Sequence, residues 1–165
     1  LMDRFPNAKV LVTGHSLGGA LAGLAALDIK RFDLEGSGMT VYTFGQPRIG
    51  NLEFAEYIFD KFKGTNYYRV VNSHDIVPHL GSNIAGATPM GQEVYYVTNG
   101  GTEFRICTWT RETLEDRTCS DSIPGFNLWV RDHLNYFSRG MATYCNSKTL
   151  LKSGSVVQEM LMQLE

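Results

Sequence analysis

The chain has 165 residues, and its 15 Lys and Arg against 17 Asp and Glu give a formal net charge of −2. This length suits one domain with a sizeable core, and a hydrophobic fraction of 43% excludes a mainly disordered chain. The near-neutral charge without a Lys/Arg cluster argues against nucleic acid as a partner, and no apolar run approaches the roughly 18 residues of a transmembrane segment.

Predicted strands and helices alternate along the chain. In chain order they are a strand over 9–13, a helix over 17–32, a strand over 39–44, a helix over 52–63, a strand over 67–71, and a hairpin of strands 93–97 and 103–107. A short helix is also predicted over 156–164. This order predicts an α/β fold with a mainly parallel sheet and an antiparallel hairpin at one end.

The cysteines are few and odd in number: Cys107, Cys119 and Cys145. Cys107 and Cys119 flank a polar stretch that can loop back, which favours a disulfide worth about 3 kcal/mol over the alternative of two reduced thiols. Neither a CxxC motif nor a Cys/His ligand spacing occurs, so we expect no structural zinc site.

A G-x-S-x-G motif occupies residues 14–18, between a predicted strand and a predicted helix. This context is typical of a nucleophile elbow, in which Ser16 occupies a sharp turn and the backbone N–H of Leu17 faces a developing oxyanion. We expect the His15 side chain to point away from this nucleophile. The alternative is an ordinary glycine-rich turn with an N-capping serine.

A serine nucleophile needs a base, and the order Ser, acid, His is that of α/β-hydrolases. Ser16, Asp75 and His133 satisfy this order, with Asp75 just after the third strand. The alternatives are a solvated loop carboxylate and a surface histidine. A metal site at His74, Asp75 and His79 is a poor interpretation, because such near neighbours rarely converge on one ion.

Four stretches together resemble class 3 (fungal-type) triacylglycerol lipases. They are residues 12–22 (VTGHSLGGALA), 43–51 (TFGQPRIGN), 69–79 (RVVNSHDIVPH) and 132–137 (DHLNYF). The resemblance implies an α/β-hydrolase fold that acts on carboxylic esters of lipids, without a cofactor or metal ion. It also implies Ser16 as the nucleophile, Asp75 as the acid and His133 as the base.

The same resemblance implies that residues 1–165 form the C-terminal part of a single α/β-hydrolase domain. The family's N-terminal strands, its lid and its second oxyanion donor would then lie outside this chain, as would a partner for Cys145. A strand over 9–13 would also have an open edge. The resemblance further implies a lipid–water interface as a partner surface and a secreted or lumenal location, although the first residues do not have the pattern of a signal peptide.

Two other functions stay open at this point. One is an esterase of the same fold on non-lipid esters, such as feruloyl or short-chain esters, and the other is a non-catalytic, lipase-like binding domain. Apolar residues near the expected acid and base could form an acyl-binding wall, but we favour an ordinary core. They are Ile76, Val77, Ile123, Phe126, Leu128 and Trp129.

Overall fold

A computed structural model describes residues 4, 5, 7–62, 66–81 and 86–141. Its strands are β1 (Val10–His15), β2 (Met39–Phe44), β3 (Asn66–Asn72), β4 (Gln92–Tyr96), β5 (Phe104–Ile106), β6 (Asn135–Tyr136) and β7 (Arg139–Gly140). Its helices are α1 (Leu17–Arg31), α2 (Leu52–Phe62) and α3 (Val130–His133), and short 3₁₀ turns cover Val77–His79, Ser120–Ser122 and Gly125–Asn127.

The first five strands form one sheet in the order β1-β2-β3-β4-β5. The strands from β1 to β4 pair in parallel and β5 pairs antiparallel to β4, so the predicted α/β fold and its hairpin are confirmed. Within the described ranges, β1 lies at one edge of this sheet. Because parallel strands run in one direction, the turns after β1 and β3 both emerge at the carboxyl ends of the strands, which lie on the same side of the sheet.

One hydrophobic core lies between the sheet and the first two helices. Its buried members are Ala26, Val41, Ile58, Phe62, Tyr67 and Met90. The helix α1 packs closely against the sheet through small residues. At Gly23 there is no room for a side chain, since a Cβ would collide with the hydroxyl of Tyr67 in β3. A second cluster of buried residues comprises Phe44, Val70, Val94, Tyr96 and Tyr136, and it includes the β6 residue Tyr136.

The element boundaries agree with the prediction to within one or two residues. The first strand ends later than predicted, because β1 continues to pair with β2 through Gly14 and His15. The predicted Cys107–Cys119 disulfide is confirmed. The predicted helix over 156–164 and Cys145 lie outside the described residues. None of the described helices combines the length and the hydrophobicity of a transmembrane segment.

Candidate active site

Ser16 forms a strained turn between β1 and α1. Its backbone has φ 59° and ψ −131°, a conformation that costs a non-glycine residue free energy. The Ser16 N–H donates to the carbonyl of Phe44 at 2.9 Å. Gly14 permits the close return of the chain, because a Cβ there would lie 2.8 Å from the nitrogen of Gly19. The turn therefore has the geometry of a nucleophile elbow.

His133 bridges Ser16 and Asp75. Its Nε2 lies 2.8 Å from Ser16 Oγ, and its Nδ1 lies 3.0 Å from Asp75 Oδ2. Asp75 is fully buried and the exposed fraction of His133 is 6%. The second carboxylate oxygen, Asp75 Oδ1, accepts the N–H of Val77 at 2.8 Å. The structure thus brings the three predicted residues into one line of hydrogen bonds at the carboxyl ends of the parallel strands.

Two further residues complete the environment of Asp75, and the sequence analysis gave neither a role. The hydroxyl of Tyr136 donates to Asp75 Oδ2 at 2.6 Å. Burial and the charge of Asp75 raise the pKa of Tyr136, so the phenol stays a neutral donor. Gly45, which has φ +58°, lies directly against Asp75 and His133. A Cβ at this position would be 2.7 Å from both Asp75 Oδ2 and His133 Nδ1.

The His15 side chain points to the ring and the backbone of His133, which agrees with the prediction that it points away from the nucleophile. The two imidazole rings stack with centroids 4.5 Å apart. His15 Nε2 donates to the backbone carbonyl of His133 at 2.8 Å. Burial lowers the pKa of His15. The hydrogen bond to the His133 carbonyl acts in the opposite direction but is the smaller effect. A neutral His15 avoids placing a second cation beside His133.

The segments that carry Asp75 and His133 are also joined through their sequence neighbours. The N–H of His74 donates to Asp132 Oδ2 at 3.1 Å, and the carbonyl of His74 accepts the N–H of Trp129 at 2.7 Å. Asp132, with an exposed fraction of 1%, also accepts Asn99 Nδ2 at 2.7 Å through Oδ1. These contacts hold α3 against the turn that follows β3.

The described residues offer one clustered set of potential metal ligands, which comprises Glu93, Cys107 and Cys119. Its two sulfur atoms are joined in the disulfide, so neither can supply a thiolate ligand. The site is therefore chemically unsuited to a metal ion.

Apolar side chains that flank the site are partly exposed. The exposed fraction is 67% for Leu17, which follows Ser16, and 46% for Trp129, which precedes α3. Phe126 is 88% exposed, so the expectation of an ordinary core is wrong for Phe126 and Trp129. The remaining members of the predicted wall (Ile76, Val77, Ile123 and Leu128) are half-buried.

Residues 1–84 match the family described as lipase (class 3). A lipase of Rhizomucor miehei is 43% identical over 136 residues, which is 81% of this chain and 36% of that protein. A secreted mono- and diacylglycerol lipase of Fusarium solani is 32% identical, over 84% of this chain and 40% of that protein. The chain thus spans well under half the length of these relatives.

A solved triacylglycerol lipase, described as having a serine protease triad as its catalytic centre, is similar in structure. It superposes with a TM-score of 0.72 at 44% identity, over 83% of this chain and 50% of that chain. The family match covers half of the chain, and the elbow and fold agree with it. This chain therefore belongs to the class 3 lipase family, with an α/β-hydrolase fold.

Proposed function

We propose that this chain carries the catalytic residues of a serine hydrolase that cleaves carboxylic esters of lipids. The observation that carries the proposal is the line of hydrogen bonds from Ser16 Oγ through the His133 ring to Asp75, which begins at a strained elbow. Nucleophile, base and orienting carboxylate in such a line are what acyl transfer needs. No cofactor takes part in this chemistry.

In the proposed reaction, Ser16 Oγ attacks the ester carbonyl while His133 Nε2 takes the hydroxyl proton. His133 then gives this proton to the leaving alcohol, and an acyl-enzyme on Ser16 remains. Water, deprotonated by the same imidazole, attacks the acyl carbonyl. The bond from this carbon to Ser16 Oγ then breaks, the imidazolium returns the proton to Ser16 Oγ, and the carboxylic acid leaves. Asp75 holds the Nδ1–H tautomer and stabilises the imidazolium in both steps, while Tyr136 and the Val77 N–H hold Asp75.

The proposed oxyanion donor on this chain is the backbone N–H of Leu17. It lies in the first turn of α1, where N–H groups have no acceptor within the helix. The positive end of the helix dipole adds to the stabilisation of the developing negative charge. Loss of one such donor typically costs about 10²–10³ in kcat, so a second donor would matter for the full rate.

Lipid esters are the proposed substrate class, because exposed apolar side chains flank the nucleophile and the base. Leu17 and Leu21 lie at the start of α1, and Trp129, Val130 and Leu134 surround His133 in sequence, all between 46% and 67% exposed. Such a rim suits contact with acyl chains or a lipid–water interface. The names of the relatives, including one called secreted, support lipid esters and a location outside the cytosol.

The test compares the full-length protein with its Ser16→Ala variant. We expect hydrolysis of a chromogenic ester, and labelling by a serine-directed phosphonate, to disappear in Ser16→Ala and to persist in Ser37→Ala, which changes an exposed serine outside the site. Undiminished hydrolysis by Ser16→Ala would contradict the proposal. Emulsified long-chain triacylglycerols, compared with soluble short-chain and feruloyl esters, decide between lipid and non-lipid substrates.

A further inference from the structure

Four side chains form a connected polar cluster beside the proposed base, which we call the clasp: Asn72, Asn99, Asp132 and Asn135. Asn99 Nδ2 donates to Asp132 Oδ1 at 2.7 Å. Asn99 Oδ1 in turn accepts Asn135 Nδ2 at 2.6 Å and Asn72 Nδ2 at 3.3 Å. Asn72 and Asp132 are buried, with exposed fractions of 3% and 1%, whereas Asn135 is half-buried and Asn99 is exposed.

The clasp joins three parts of the chain that must stay in register. Asn72 ends β3, Asn99 lies in the turn between β4 and β5, and Asp132 lies in α3. Asn72 Nδ2 also donates to the backbone carbonyls of Asp132 at 3.0 Å and Asn135 at 2.6 Å. These two carbonyls lie on either side of His133, so the position of the base depends directly on the clasp.

We infer that the clasp is a positioning device for the proposed reaction, which holds the His133 ring between Asp75 and Ser16. The inference rests on the proposed function. Asp132 adjoins His133 in sequence, His74 adjoins Asp75, and the N–H of His74 donates to Asp132 Oδ2. A second link, one residue away, therefore runs beside the hydrogen bond between His133 and Asp75. None of the four clasp side chains contacts the reacting atoms.

The contact between Asn99 and Asp132 requires one amide as the donor and one carboxylate as the acceptor. In Asn99→Asp, two carboxylates would face each other at the 2.7 Å contact, and two like charges so close cannot both ionise without moving apart. In Asp132→Asn, the new amide has one acceptor for two donors, the His74 N–H and Asn99 Nδ2. Turning the Asn99 amide would place its Nδ2 against Asn135 Nδ2, which donates to Asn99 Oδ1 at 2.6 Å in the wild type, so the Asn135 amide would have to turn as well.

Exchanging the two groups restores the hydrogen bonds that link residues 74, 99 and 132. Only the exposed Arg131 loses an acceptor, because its Nε donates to Asp132 Oδ1 at 3.2 Å in the wild type. In the double variant Asn99→Asp with Asp132→Asn, the amide at 132 accepts the His74 N–H and donates to the carboxylate at 99. The other oxygen of that carboxylate still accepts Asn72 and Asn135. The charge of the pair is unchanged, and both side chains keep their size. The swap therefore exchanges the donor and the acceptor between positions 99 and 132, while the net charge and the total side-chain volume of the pair stay the same.

The experiment measures kcat and KM for soluble ester hydrolysis by the full-length protein, the two single variants and the swap. A shift of about 1 Å can cost up to about 100-fold in rate, so we expect kcat to fall about tenfold to a hundredfold in each single variant, with KM little changed. We expect the swap to recover most of the loss. Asn51→Asp is the matched control, because it makes the same change at an exposed residue whose Oδ1 accepts the Phe54 N–H at 3.1 Å.

A second readout is independent of turnover. If the clasp holds the imidazole against Asp75, the proton between His133 Nδ1 and Asp75 should give a far-downfield NMR signal in the wild type and the swap but not in the single variants. Single variants that melt earlier yet keep this signal and the wild-type kcat would overturn the inference, as would a swap no better than the worse single variant. Absence of Ser16-dependent hydrolysis in the wild type refutes the proposed function instead, and the NMR signal then decides on the clasp alone.

Discussion

Replacing Gly45 by alanine tests how tightly the proposed acid and base are packed. The new Cβ would lie 2.7 Å from Asp75 Oδ2 and from His133 Nδ1, and these atoms must move by about 0.7 Å to reach ordinary van der Waals distance. The residue also has φ +58°, which costs an alanine about 1–2 kcal/mol. Overpacking adds about 1–3 kcal/mol, so we expect a loss of about 2–5 kcal/mol in the free energy of unfolding.

Gly86 provides a matched control for this change. Its φ of +59° is nearly the same, but a Cβ there would meet nothing within 4 Å, so Gly86→Ala isolates the backbone cost. Urea unfolding should show a smaller loss for Gly86→Ala, and ester hydrolysis should show kcat lowered about tenfold to a hundredfold in Gly45→Ala only. If the two variants lose the same stability and kcat is unchanged in both, the reasoning about crowding at Gly45 is wrong.

Three further predictions concern ionisation and the disulfide. Burial raises the pKa of Tyr67 and Tyr136, so above about pH 10 the unfolded chain loses protons that the folded chain keeps, and stability should fall by up to about 1.4 kcal/mol per pH unit for each tyrosine. Urea unfolding at alkaline pH should show a shallower fall in Tyr136→Phe. Burial lowers the pKa of His15, so acidification below about pH 6.5 should destabilise the wild type, and the difference in the free energy of unfolding between about pH 7 and pH 5 should be smaller in His15→Phe. Replacing both Cys107 and Cys119 by serine should lower the free energy of unfolding by about 3 kcal/mol, as measured by thermal unfolding, and should reduce the further destabilisation that a reductant causes.

The elements and the elbow could be predicted because their causes are local. Alternation of strand and helix patterns predicted a mainly parallel sheet with an antiparallel hairpin, and the glycines around Ser16 indicated a turn that only small neighbours permit. Tyr136 and Gly45 could not be assigned roles in this way. Their contacts with Asp75 join residues that are 61 and 30 positions apart, and they depend on how β2, β3 and the C-terminal segment come together.

Exposure of apolar residues was the other feature that the pattern could not predict. An aromatic residue near the proposed active site is expected to be buried, because removing apolar surface from water is favourable. Phe126 instead follows Pro124 in a short 3₁₀ turn and is 88% exposed. Only the three-dimensional position of that turn distinguishes an apolar rim from a core.

The turn that carries Asn99 also has a consequence for how the protein ages. Asn99 is exposed and precedes Gly100, whose φ is +73°, and an Asn–Gly pair is prone to spontaneous deamidation. The backbone nitrogen of the glycine attacks the side-chain carbonyl carbon, ammonia leaves, and water opens the cyclic imide to aspartate or isoaspartate. Either product places a new carboxylate opposite Asp132. Prolonged storage should therefore convert the protein into a more acidic and less active form. The swapped variant, which has an aspartate at this position, forms the cyclic imide more slowly and should lose activity more slowly.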